Sequence, residues 1–140
     1  SRGDLLSVIP FGNTLVMREL TGEQVVAALE HGVSEEGAKG PRLLHTAGLR
    51  YVVDGRRPAG SRVVKAEILD EKDTATSLDP KAHYGIITTE YLARGGDAYE
   101  MLKNSKVIPS PEPIDITVVE EYLRKHSPLP QPMGERIIRK

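Results

Sequence analysis

No cysteine occurs among the 140 residues, which excludes a disulfide framework, a thiolate zinc site and a cysteine nucleophile together. The redox compartment therefore stays unread. Neither sign of charge is in excess: 19 basic side chains stand against 20 acidic ones, whereas capture of a polyanion by phosphate neutralisation needs a basic surplus. Nucleic acid is thus not an expected partner. The longest apolar runs are a few residues, such as Ile86-Ile87, too short for a membrane span or the apolar region of a signal peptide. Ordinary phosphate cradles are missing as well, since neither a Walker-type loop nor a GxGxxG pattern occurs. His31, His45, His83 and His126 are scattered, with no second histidine or paired carboxylate at ligand-like spacing. They read as surface or helix-end residues, and no metal is assigned to them.

What is present fits one compact domain, because a chain of this length buries a real core without staples. It opens at Ser1-Arg2-Gly3-Asp4 and passes straight into Leu5-Leu6, which reads as a segment cut from a longer chain. The pattern predicts a short helix over Asp4–Ile9, capped by Asp4 and burying Leu5, Val8 and Ile9. A strand follows over Thr14–Leu20, and Thr21-Gly22-Glu23-Gln24 is a capping box that opens a helix through Val25, Val26, Ala28, Leu29 and Val33. Gly37–Pro41 reads as a loop, and Leu43-Leu44 and Leu49–Val53 as strands. The second of these pairs antiparallel with Arg62–Leu69 across a long turn in which Arg56, Arg57 and Arg62 are solvated charge. After a turn at Leu78-Asp79-Pro80 come a strand at Tyr84–Thr89 and a helical turn at Glu90–Arg94 broken by Gly95-Gly96. Asp97 then caps a short helix through Leu102. Ile108–Pro113 is a stiff proline-rich connection, Thr117–Lys125 a helix with Val118, Val119, Tyr122 and Leu123 as its stripe, and Arg136–Arg139 a last strand behind a proline-rich turn. The class expected is α+β, with mixed, largely antiparallel sheet layers and packed helices.

Two places stand out chemically. Phe11 is the only phenylalanine and lies between Pro10 and Gly12-Asn13, off any periodic apolar face. It is either a loop anchor packed on the core or a ring held out to stack on a nucleobase. In Tyr91-Leu92-Ala93-Arg94-Gly95-Gly96-Asp97, the paired glycines Gly95 and Gly96 permit close backbone approach to a ligand, and Asp97 is a carboxylate suited to ribose hydroxyls. A helix stop followed by an aspartate cap explains the same residues without a ligand.

Four blocks, taken in order, add to these local readings. They are Val8-Ile9-Pro10-Phe11-Gly12-Asn13, Leu20-Thr21-Gly22 through Ala28-Leu29-Glu30-His31-Gly32-Val33-Ser34, Ala47-Gly48-Leu49-Arg50-Tyr51, and Tyr91 through Tyr99. Together with Gly134-Glu135-Arg136-Ile137 as a closing strand, they resemble the C-terminal domain of the 5′-nucleotidase family over nearly the whole chain. The resemblance implies a substrate-binding domain, residues 1–140, that belongs to a two-domain enzyme releasing phosphate from nucleotides. Two divalent metal ions would sit in the other, N-terminal metallophosphoesterase domain, and this domain would need no cofactor, hold no catalytic residue and be inactive alone. It also implies that Phe11 and Tyr91 sandwich the base and that Asp97 contacts ribose. Tyr91 departs from the usual phenylalanine, adding a hydroxyl that could tune base preference. The family's asparagine-glycine motif with its arginine would precede Ser1, and Gly12-Asn13-Thr14 is not the metal-binding GNH motif. A periplasmic, cell-surface or secreted location is implied. The architecture is shared with UDP-sugar hydrolases, cyclic-nucleotide phosphodiesterases and thiosulfohydrolases. A thiosulfohydrolase domain and a non-catalytic nucleoside-binding module of a surface protein therefore stand as alternatives.

Overall fold

The computed structural model describes residues 2–35, 40–129 and 134–140. In chain order the elements are α1 (Arg2–Val8), β1 (Leu15–Thr21), α2 (Gly22–Gly32), β2 (Leu49–Val53), β3 (Val63–Leu69), β4 (Ala75–Ser77) and β5 (His83–Thr89). They continue with α3 (Glu90–Ala93), a 3-10 turn (Gly96–Ala98), α4 (Glu100–Lys103), β6 (Lys106–Ile108), α5 (Asp115–His126) and β7 (Ile137–Arg139). This is the expected α+β mixture. It is organised as two compact units, one drawn from residues 1–19 and 85–133 and the other from residues 20–84 and 134–140.

In the second unit the sheet order is β4-β3-β2-β7, antiparallel except for the parallel pairing of β2 with β7, where Tyr51 faces Ile137. Helix α2 starts where the capping box predicts. Thr21 Oγ1 accepts the Gln24 N–H and Gln24 Oε1 accepts the Thr21 N–H, so two orphan donors of the first turn are satisfied reciprocally. Val25, Ala28 and Leu29 of α2 and Val33 just after it join Leu49, Tyr51, Val53 and Leu69 of the sheet in the core. The core needs Gly22 at the helix start, because a Cβ there would stand 2.1 Å from the Asp79 carbonyl oxygen.

The arginines of the long β2–β3 turn are not merely solvated. Arg56 donates to both Asp54 oxygens at 2.8 and 2.9 Å, and its guanidinium holds the Asp54 carboxyl down at about 2. Arg62 donates through Nη1 to the Val33 and Ser34 carbonyls, both at 2.6 Å, while the Glu30 carboxylate accepts the backbone N–H groups of Arg62 and Val63. The end of α2 and the start of β3 are thereby joined by hydrogen bonds running in both directions, a role that no local pattern reveals.

Tyr51 is 1% exposed, its hydroxyl donates to the Leu44 carbonyl at 2.8 Å, and burial pushes the phenol up to about 12 against an opposing pull from Arg139. An unfolded tyrosine releases its proton near pH 10. The folded state holds the proton longer, so stability is fully present below pH 10 and falls as pH climbs from there through about 12. Urea midpoints at pH 9, 10 and 11 should drop more steeply for the wild type than for Tyr51→Phe. Parallel slopes would refute the linkage.

In the first unit the sheet order is β5-β1-β6, with Met17 opposite Ile108 and Glu19 opposite Lys106. Val16, Ala93, Tyr99, Leu102 and Ile116 are its buried apolar residues. Several expectations fail here. Asp4 lies in the first turn of α1 and not before it, and the helix buries nothing: Val8 is 77% exposed. On α5 the buried residues are Asp115 and Ile116, whereas Val118 and Tyr122 face solvent and Tyr122 stacks on His126 at 4.2 Å. The stiff segment after Ile108 does follow a strand, β6, that was not foreseen, as β4 was not. Leu43-Leu44 is not a strand. Most of the expected Gly37–Pro41 loop and the end of the later proline-rich turn lie outside the described residues.

Candidate functional site

All five residues singled out from the sequence belong to the first unit. Phe11 sits in the bend between α1 and β1 and is 84% exposed, which rules out packing on the core. The bend is pinned immediately beyond it. Gly12 takes a φ of 59°, and Asn13 donates through its backbone N–H and its Nδ2 to Asp115 Oδ2 at 3.1 and 3.2 Å. The Asn13 carbonyl in turn accepts the Asp115 N–H at 2.9 Å, and the Leu15 N–H reaches the Pro113 carbonyl at 2.8 Å. Asp115 is 8% exposed, and its other oxygen accepts the Ile116 N–H at 2.6 Å. An ionised carboxylate has only acceptor sites, so a buried one needs such donors around it. Sequence reasoning missed Asp115, since it stands 102 positions from the residue it holds.

Tyr91 lies on α3, just after β5. Thr89 Oγ1 accepts the Leu92 N–H at 3.3 Å and caps this short helix, and the Glu90 N–H donates to the Thr14 carbonyl at 2.8 Å. That last bond ties the residue before Tyr91 to the residue ahead of β1, so Phe11 and Tyr91 leave the sheet at the same end. Tyr91 is 53% exposed.

The chain then turns left-handed: φ is 91° at Gly95, 52° at Asp97 and 65° at Ala98. Residues with a Cβ rarely adopt this region, at a cost of about 1–3 kcal/mol each. The glycine before Asp97 serves a specific contact. A Cβ on Gly96 would lie 2.5, 2.6 and 2.7 Å from Cε1, Cζ and Cδ1 of Tyr91, so the ring rests directly on the Gly96 backbone. The phenol hydroxyl donates to Asp97 Oδ1 at 2.9 Å. Buried Ala93 and Tyr99, each 1% exposed, anchor the two ends of the turn. Asp97 does not begin α4, whose N-cap is Tyr99 and which has no side-chain cap bond. Asp97 is therefore not the N-cap of α4.

An open groove of about 190 Å³ in the second unit, lined by Val26, Val63, Ala66 and Leu78 among others, holds none of these residues. Among the described residues no group of three or more histidine, aspartate or glutamate side chains is placed to hold a metal ion. No helix among them is long and apolar enough to cross a membrane.

Comparison with known proteins identifies the fold. The family model described as "5′-nucleotidase, C-terminal domain" matches residues 1–104. A 5′-nucleotidase of Diplobatis ommata is 35% identical over 124 residues, which is 86% of this chain and 22% of that protein. A snake venom 5′-nucleotidase of Macrovipera lebetinus is 33% identical over 125 residues, 87% of this chain and 31% of that protein. The crystal structure of a 5′-nucleotidase precursor from Thermus thermophilus superposes with a TM-score of 0.91 at 36% identity, covering 99% of this chain and 27% of that one. The chain thus spans between a fifth and a third of the length of these relatives. With the ordered sequence blocks, the α+β architecture and these matches in agreement, the chain belongs to the 5′-nucleotidase C-terminal domain family.

Proposed function

We propose that this chain is the nucleotide-binding, substrate-specificity domain of a larger 5′-nucleotidase-type phosphohydrolase that releases phosphate from nucleotides. The observation that carries the reading is the pair of solvent-exposed rings, Phe11 and Tyr91, leaving one end of one sheet with the Asp97 carboxylate bonded to the second ring. Two aromatic faces can stack on a base while a carboxylate accepts hydroxyl donors from ribose. Gly95 and Gly96 belong to the same platform, since the second lets the Tyr91 ring lie against the backbone. Left-handed Asp97 and Ala98 fit it too, because strain of this kind is retained where geometry serves a ligand.

No catalytic role falls to a residue of this chain on this reading. A divalent metal pair, which would activate water for attack on phosphorus, does not fit the side chains described here and is assigned to a separate metallophosphoesterase domain. This domain's contribution is position and orientation. A periplasmic, cell-surface or secreted location is supported by relatives named as a venom enzyme and as a precursor. A thiosulfohydrolase domain would have no use for two base-stacking rings and a ribose acceptor.

The test is Asp97→Asn in the full-length protein. It should lower kcat/KM on AMP by about tenfold, as expected for loss of a charge-assisted hydrogen bond at an exposed site, and spare a ribose-free phosphate ester. Equal losses on both esters, or no loss on AMP, would refute the ribose role.

A further inference from the structure

We propose that the Tyr91 hydroxyl is a positioning group for Asp97, so that the residue carrying the base platform also sets selectivity for an intact ribose diol. This inference rests on the ribose role assigned to Asp97 above and goes beyond it. From the sequence, a tyrosine at this position suggests a hydroxyl that tunes base preference. The geometry points elsewhere. A phenol has one proton to donate, and here it goes to Asp97 Oδ1 at 2.9 Å.

The arrangement is constrained from two sides. The ring lies close over Gly96, with three of its atoms 2.5–2.7 Å from where a Cβ of that residue would be. The carboxylate is carried by a backbone in the left-handed region at φ 52° and ψ 27°, with the αL glycine Gly95 ahead of it and Tyr99, 1% exposed, behind the turn. Asp97 is itself exposed, so burial does not fix its side chain. The hydrogen bond from Tyr91 holds its Oδ1 towards the ring. An acceptor held in one orientation before the ligand arrives loses less freedom on binding, which raises affinity for the ligand whose donors match that orientation. The matching chemistry is a pair of vicinal hydroxyls on a sugar whose base lies on the same ring. Selectivity between ribose and deoxygenated sugars should therefore depend on the phenol oxygen, although that oxygen need never touch the sugar.

The experiment uses the 140-residue chain in two measurements. Three-bond couplings across the Asp97 side chain, recorded without ligand, should report a rotamer distribution in Tyr91→Phe shifted away from that of the wild type. Titration by amide chemical shifts with adenosine and with 2′,3′-dideoxyadenosine should show that Tyr91→Phe reduces the preference for adenosine by roughly three- to tenfold, the span of an ordinary net hydrogen bond. An unchanged rotamer distribution in Tyr91→Phe, or a preference equal to the wild type's, overturns the positioning role while leaving Asp97 as a ribose contact. Failure of the underlying reading looks different. A wild type that does not distinguish the two nucleosides, with Asp97→Asn equally indifferent, removes the ribose role, and the selectivity proposal falls with it.

Discussion

Replacing Asp115 by alanine should lower the unfolding free energy by about 3 kcal/mol, because two Asn13 donors and the Ile116 N–H lose one shared acceptor group. A buried donor left without a partner costs about 1–3 kcal/mol, and water entering the vacated space recovers only part of that. Asp115→Asn should cost less, since an amide oxygen can still serve one of the two sides. The measurement is a urea titration, with the midpoint falling and the slope unchanged. The effect should extend beyond stability. Asn13 is two residues from Phe11, so the substitution also loosens the bend that presents the ring, and nucleoside affinity should fall in protein that is still folded. A loss of stability well below about 1 kcal/mol, near the ordinary range for surface substitutions, would show that the Asn13–Asp115 pair is incidental.

Phe11→Ala should act on binding alone, weakening it for nucleosides by about 1–3 kcal/mol while leaving stability within about 0.5 kcal/mol of the wild type. The ring is 84% exposed, so removing it leaves no cavity. Calorimetric or chemical-shift titration with adenosine measures the first quantity and thermal melting the second. A lowered melting temperature with unchanged affinity would make Phe11 a packing residue, and the base-stacking assignment would be lost. The two substitutions together separate the ring from the device that holds it.

What could be read along the chain depended on how far apart the interacting residues lie. The capping box at Thr21–Gln24 was legible because its partners are three positions apart and its chemistry is local. Strands β2 and β3 were legible for a similar reason, being consecutive and joined through one turn. The parallel pairing of β2 with β7 and the Asn13–Asp115 lock were not, because nothing near either partner encodes the other. Strands β4 and β6 are three residues each, too short to show an alternation, and β6 runs into Pro109. The stripe on α5 was misplaced by counting Val118 and Tyr122 as buried, whereas the covered positions are Asp115 and Ile116 at the helix start.

At the site, residue types were enough to nominate Phe11, Tyr91 and Asp97, but not to show what they do to one another. The bond between Tyr91 and Asp97 depends on a chain reversal through Gly95 at φ 91°. The phenol's partner was therefore visible only once that reversal was known. Whether Asp97 is the N-cap of α4 likewise depended on where that helix begins, and Tyr99 takes that place.

The seat of the Tyr91 ring on Gly96 has a consequence for how this domain responds to substitution. A Cβ at position 96 would stand 2.5 Å from the ring, so any side chain there moves the ring. A larger residue at 96 displaces the half-exposed Tyr91 ring from its seat, and with it the phenol bond to Asp97. Substitution at 96 is therefore felt at 91 and 97 together, although nothing is removed from either.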